Sequence, residues 1–563
     1  MAWSRKALAA TILWSLWQSS SADIVPSVRS RADERVFPRA ADLPDDAALE
    51  ASGAVVGSVR HVRLNVFDPS LPAEDTTLFR FANRIHIVTR ESTLGAQLLF
   101  AAGDRYDGRL LQESERILRA KPYLRDARIR PVLVRDGVVD IEVITQDTWT
   151  LKPELQYGRK GGRSTSGFGI EEHNLFGTGA RFGVVATSGL ERDTKQLFYS
   201  DPNIAGSRWR LDAQSAWNSD GRSRSFNVER PYYALDARWA SGIAWRDERR
   251  IDSVYEDGRV VDRFSTRERF GGVYVGRSSG LRDGWVTRWT AGLTVDERRA
   301  TTVADSLSSV VPRDRRLTYP WIGVERVEDD FREARNQDQI ARTEDVELGW
   351  RMRLKLGVAM ASLGSDRDAV VFDSRVTKGL QPDERQTLLL SAGATGRIER
   401  GGFDDTTISA AARYYWRHSP RRSLFLGLAA DRGSRLDVDS QLTLGGDNGM
   451  RGYPYRFRTG QGRWLFTAEE RWFTNWYPFR LFNVGGAVFY DMGRVWGGNQ
   501  VSVPMATPID RQDGLLRDVG VGLRLGNSRS AIGSVVHIDV AYPIDREASM
   551  RKVQINVEAK RSF

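Results

Sequence analysis

The segment GGDNGMRGYPYRF, Gly445 to Phe457, packs four glycines, two arginines and three aromatics into thirteen residues, between runs that alternate like β-strands. Arg451, held between Met450 and Gly452 and followed by Tyr453, is a permanent planar cation whose fork matches carboxylates. If the glycines fold this loop into a partly dehydrated interior, the guanidinium must find acids, because an unpaired buried charge costs several kcal/mol. Candidates lie downstream. In TAEERWF, Glu469 falls on the polar face of an alternating strand, and in FYDMGRVW, Phe489, Asp491 and Gly493 share one face. Neighbouring antiparallel strands would bring Glu469 and Asp491 together, with Arg451 as their shared counter-ion. With that cation between them both acids stay ionised, which suits a clamp better than general acid catalysis. Glu470 falls on the apolar parity, an exception to the pattern.

Enzyme readings find less support. GRSSG, Gly276 to Gly280, has the letters of a nucleophile elbow, but the alternating run LRDGWVTRWTAGLTV follows where that motif needs a helix. His61, His86, His173, His418 and His537 show no metal-ligand spacing, and no phosphate-cradling glycine loop occurs. No enzymatic activity, metal or cofactor is expected.

The elements that must position the clamp are strands. From Trp149 onward, short alternating runs are separated by turns rich in Gly, Asp, Asn and Arg. Trp209, Leu211, Ala213 and Trp217 share a face, as do Trp239, Ile243 and Trp245, then Trp289, Ala291, Leu293 and Val295, then Val346, Leu348, Trp350, Met352 and Leu354. Alternation alone fits a sandwich or a barrel. Seventeen Trp and sixteen Tyr, many near strand ends, fit the aromatic girdles of a transmembrane β-barrel. At about 25 residues per strand and connection, residues 149–563 predict about 16 antiparallel strands. In KVQINVEAKRSF, Val557 belongs to the outward set and Phe563 ends the chain. Pro153, in the first strand, cannot donate a ladder hydrogen bond. It predicts either a weak seam between first and last strands or the edge of the first one.

Ahead of the barrel, Arg5 and Lys6, the apolar run Ala7 to Trp17 and Ser20-Ser21-Ala22 have the layout of a secretory signal peptide, residues 1–22. Residues 23–53 read as a flexible leader. Residues 54–148 predict one small α+β domain: a strand from Val55 to Phe67, a helix capped by Thr93, a second capped by Asp107, and a hairpin around Arg135-Asp136-Gly137. The absence of cysteine in an exported chain leaves stability to a core or a closed barrel. Net charge is +10, yet basic residues are dispersed among acids, so no nucleic-acid partner is expected. Mean hydropathy is −0.44, and no stretch beyond the N-terminus suits a membrane-spanning helix.

Several motifs carry a resemblance in chain order. MRGY resembles the lumenal-loop arginine motif, and FYDMG the partner aspartate motif, of the outer-membrane insertase and translocase superfamily that takes in the BamA, TamA and two-partner secretion transporter group. EEHNLFGTG, YSDPNIAG and HIDVAYPID resemble that superfamily's early strands and penultimate strand, and residues 54–148 resemble its periplasmic POTRA domain. The resemblance implies a bacterial outer-membrane protein, its N-terminal domain in the periplasm, that moves or inserts polypeptide through a gated barrel. It implies outer-membrane lipids, an extended polypeptide client and periplasmic accessory proteins as partners. The rivals are a two-partner secretion transporter for one exported protein, and a passive pore or structural surface barrel. It also implies a clamp of Arg451, Gly452, Tyr453, Glu469, Phe489, Asp491 and Gly493. A client-binding edge strand would be Val138, Val139, Ile141 and Val143, and a lateral seam with sorting signal would be Pro153, Val557 and Phe563. Two departures stand out. There is room for only one POTRA-like module, and Arg561 occupies a sorting-signal position that usually carries an apolar or aromatic residue.

Overall fold

The computed structural model describes residues 43–304, 306, 311–438, 440–497, 514–530, 535–548 and 550–560. The expected signal peptide, the leader up to residue 42 and Phe563 lie outside them.

Residues 43–148 form an α+β unit. Asp45 caps α1 (Asp46–Ala51) by accepting from the Ala48 amide at 2.7 Å. A helix thus starts inside the stretch expected to be flexible, because Leu49 is buried in the unit's core. Then follow β1 (Val55–Leu64), α2 (Thr77–Ile85), α3 (Glu91–Gly95), α4 (Gly108–Arg119), β2 (Leu124–Arg135) and β3 (Val138–Asp147). Asp107 caps α4 as its sequence implies, accepting from the Leu110 amide at 3.2 Å. Thr93 caps nothing: it lies within α3 and donates to the Gly177 carbonyl of the barrel.

The sheet order is β1-β3-β2, with β1 parallel and β2 antiparallel to β3. This overturns the expected edge strand. Val138, Val139, Ile141 and Val143 sit on the central strand, paired on both sides, and the last three are fully buried. A hairpin fixes that β2 and β3 are neighbours but leaves open which of them β1 joins.

Beyond Thr148, twenty strands from Leu151–Lys160 to Gln554–Lys560 close into one antiparallel barrel. The expected number was about sixteen. The surplus arises early, where six strands fit between Leu151 and Arg230 because their connections are tight. Outward positions carry exposed apolar side chains, among them Trp245, Val275, Trp289, Leu293 and Ile322. The lumen carries buried charge. Arg250, for example, meets Asp252 at 2.8 Å and Glu268 at 3.1 Å. GRSSG lies within the strand Arg259–Arg282, followed by another strand.

Residues 346–354 are not one strand. Glu344–Glu347 pairs with Phe331–Ala334 in a separate hairpin, and Arg351–Ala359 alone joins the barrel wall. Val346 and Leu348 are accordingly buried, while Trp350, Met352 and Leu354 face outward. This hairpin lies in residues 329–350, at the barrel end that carries the α+β unit. From the opposite end, residues 435–461 turn inward between the strands Arg422–Ser434 and Gly462–Phe473.

Candidate functional site: a lumenal charge clamp

The inward loop reaches the wall through Arg451. Its Nε and Nη2 donate to the two oxygens of Asp491 at 2.7 and 2.9 Å, and Nη1 donates to Glu469 at 2.7 Å. The fork thereby spans two adjacent strands, Gly462–Phe473 and Phe482–Trp496, as its planar geometry allows. Its carbon lies 3.3 Å from the centroid of the Phe489 ring, which closes one face of the guanidinium. Thr467 donates a further hydrogen bond to Asp491 at 2.8 Å.

The neighbouring motif residues hold the loop down. A Cβ at Gly452 would lie 2.6 Å from the Asp518 Cβ, so only glycine allows this approach. At Gly493 a Cβ would come within 2.8 Å of the Trp464 carbonyl oxygen and 3.4 Å of the Met450 sulfur. Tyr453 is fully buried. Its hydroxyl donates to the Arg517 carbonyl at 3.0 Å and accepts from the Arg517 amide at 3.1 Å. Leu444, Met450, Tyr453, Phe457, Leu465 and Val495 form the apolar cluster beside the clamp. The seven residues singled out in the sequence are thus brought to one place.

Several partners escaped the sequence reading. Arg524 donates to Asp539 at 2.6 Å and to Glu469 at 3.4 Å, Asp539 lies 3.8 Å from Arg451, and Asp518 stands directly across from Asp491. Asp539 and Arg524 occupy the polar parity of their strands, so alternation could have found them. Arg471 donates to Glu469 at 3.1 Å and, through Nη1, to the Gln337 carbonyl at 2.9 Å. Gln337 belongs to the segment entering from the other end. Its neighbour Asp338 accepts from Arg413 and Tyr415 on the wall at 3.1 and 2.8 Å. The two inward segments therefore meet the same carboxylate, Glu469, one directly and one through Arg471.

The closure of the barrel is sparse. Among the described residues, Val557 and Arg159 are the one ladder pair between the last and first strands. Lys160 adds an ion pair to Glu558, and Asn556 accepts from the Gly161 amide at 3.1 Å. Asn556 also donates to the Arg451 carbonyl at 2.7 Å, which ties the inward loop to the last strand. Pro153 lies in the unpaired part of the first strand, opposite Ile170 on its other side.

Residues 347–563 match the family model described as the Omp85 superfamily domain. Similar solved structures include BamA from Haemophilus ducreyi lacking POTRA domains 1-3, at 13% identity over 90% of this chain and 85% of that one, with a TM-score of 0.35. They also include CdiB from Escherichia coli, at 12% identity over 90% and 76%, TM-score 0.45, and CdiB from Acinetobacter baumannii, at 13% over 90% and 74%, TM-score 0.42. No curated protein matches the chain. The matched residues take in Arg451 and each acid it meets.

Proposed function

We propose that the chain moves or inserts polypeptide at the outer membrane through a barrel that two inward segments hold shut. The observation that carries this reading is Arg451 closed on Glu469 and Asp491, with Phe489 beneath it. A permanent pore has no use for a loop fastened by a buried, fully paired cation, whereas a gate needs a fastening that can be exchanged. The α+β unit is the periplasmic, POTRA-like receiver of the client. An extended client adds to β1 or β2, the sheet's edges, not to β3.

A lateral exit is favoured over passage through the lumen by the one ladder pair that the described residues form at the closure. Planar-bilayer conductance tests the gate. The intact protein is expected to stay mostly closed and Arg451→Ala to open in long steps. Equal, steady conductance in both would make the barrel a passive pore.

A further inference from the structure

Helix α2 puts its large apolar side chains on the outside. Leu78, Phe81 and Ile85 are 69%, 59% and 51% exposed, and Ile87 just beyond is 53% exposed. At about 100° per residue the first three fall within an arc of roughly 60°, one narrow stripe. The opposite side anchors the helix. Phe79 stacks on Phe67 at 4.1 Å, and the Asn83 side chain both accepts from the Phe67 amide and donates to its carbonyl. Arg80 and Arg84 lie between these sides. Arg80 pairs with Asp75 at 2.8 Å, and Arg84 is exposed with no ion pair among the described residues.

The anchor leads straight to the barrel rim. Arg529, in the connection after the strand Leu516–Asn527, lies over the Phe67 ring and donates to the Val66 carbonyl at 2.8 Å. It also pairs with Glu74 and donates to the Tyr477 hydroxyl at 3.2 Å and the Arg480 carbonyl at 3.4 Å. Tyr477 and Arg480 belong to the connection between the strands Gly462–Phe473 and Phe482–Trp496, which holds Trp476 and Phe479 outward, 65% and 80% exposed. Phe479 does so at φ +57, a conformation unfavourable for an aromatic residue. Val488, Val521 and Leu523 continue the exposed apolar surface along the adjoining strands.

We propose that α2 is an interfacial helix lying in the headgroup region of the outer membrane's near leaflet. Leu78, Phe81 and Ile85 enter the acyl boundary, and Arg80 and Arg84 meet lipid phosphates. Two observations select lipid as the occupant. The stripe is joined by fixed contacts to the rim of a surface that already faces lipid, and its flanking arginines complement anionic headgroups. The helix then fixes the height of the α+β unit beneath the barrel, whatever the barrel transports.

The chain has no cysteine, so one introduced thiol reports one site. The full-length protein, labelled with an environment-sensitive fluorophore at Phe81→Cys or Ile85→Cys, is reconstituted into phosphatidylethanolamine and phosphatidylglycerol vesicles. Both labels are expected to be quenched several-fold more by a lipid carrying a doxyl group near its headgroup than by aqueous iodide. A label at Ser70→Cys, in the exposed loop before α2, is expected to show the reverse order. Labels at 81 and 85 that iodide quenches as readily as the one at 70 would overturn the proposal and leave the stripe to a soluble partner. Quenching is read without any transport assay, so it stands or falls apart from the gate.

Discussion

Glu469 accepts from three guanidinium groups, Arg451 at 2.7 Å, Arg471 at 3.1 Å and Arg524 at 3.4 Å. Removing one member of such a buried network leaves uncompensated charge and costs about 3–5 kcal/mol. Glu469→Gln is therefore expected to loosen both inward segments, so that limited proteolysis cuts within 435–461 and within 335–343 together. Arg451→Ala is expected to expose only the first, since Arg471 keeps its bond to Gln337. Cutting confined to 435–461 in both variants would show that the segments are independent. Arg451, Glu469 and Asp491 were legible because strand parity and the glycines around Arg451 mark them. Gln337 was not, since it acts through a backbone carbonyl in a connection without periodicity. Glu470, the parity exception, does face outward, where it meets His418 at 3.0 Å and Arg422 at 2.9 Å beside the turn between Ser419 and Arg422. A charge cluster near the membrane edge costs far less than one at mid-depth.

Among the elements, the closure and β3 give the sharpest tests. Directly opposed residues of an antiparallel pair lie about 4.5–5.5 Å apart at Cα, within disulfide reach. Arg159→Cys with Val557→Cys is expected to oxidise readily and to reduce client insertion at least tenfold, with recovery on reduction. Undiminished activity in the locked form would send the client through the lumen. In the α+β unit, Glu142 on β3 pairs with Arg60 on β1 and Arg130 on β2. Burial pushes its carboxyl up, but the two guanidinium groups outweigh this and hold it below the usual carboxylate range. Its stabilising contribution is complete above the unfolded value near 4.5 and is lost as the pH falls through the depressed folded value. Arg60 is largely exposed, so salt screens part of the effect. Melting of the intact protein should thus lose stability as the pH falls below 4.5, and Glu142→Gln should flatten that slope. Strand existence was legible here from alternation. Strand count and the central place of β3 were not, because connection length and the partner of a lone N-terminal strand leave no local pattern.

At the scale of the whole molecule, the α+β unit grips the hairpin that leads into the lumen. Arg119 of α4 donates to Asp345 at 2.9 Å, and Arg128 of β2 holds Glu333 at 2.6 and 3.1 Å. Glu113 accepts from the Leu235 amide at 2.7 Å, a contact to the connection between the strands Gly221–Arg230 and Trp239–Glu256. From Asp345 and Glu333 the same hairpin continues to Gln337, then through Arg471 to Glu469 and Arg451. Ion pairs, the hairpin backbone and the Gln337 carbonyl thus join the unit to the loop from the far end. The test is a pair of variants far from the clamp. Glu333→Ala with Asp345→Ala leaves every clamp residue in place and removes the ion pairs by which Arg119 and Arg128 hold the hairpin. If the unit biases the gate, this double variant should open in bilayers severalfold more often than the intact protein, and Arg451→Ala on top of it should add less than it does alone. Strict additivity of the two would mean that the unit only receives clients and has no part in releasing the loop.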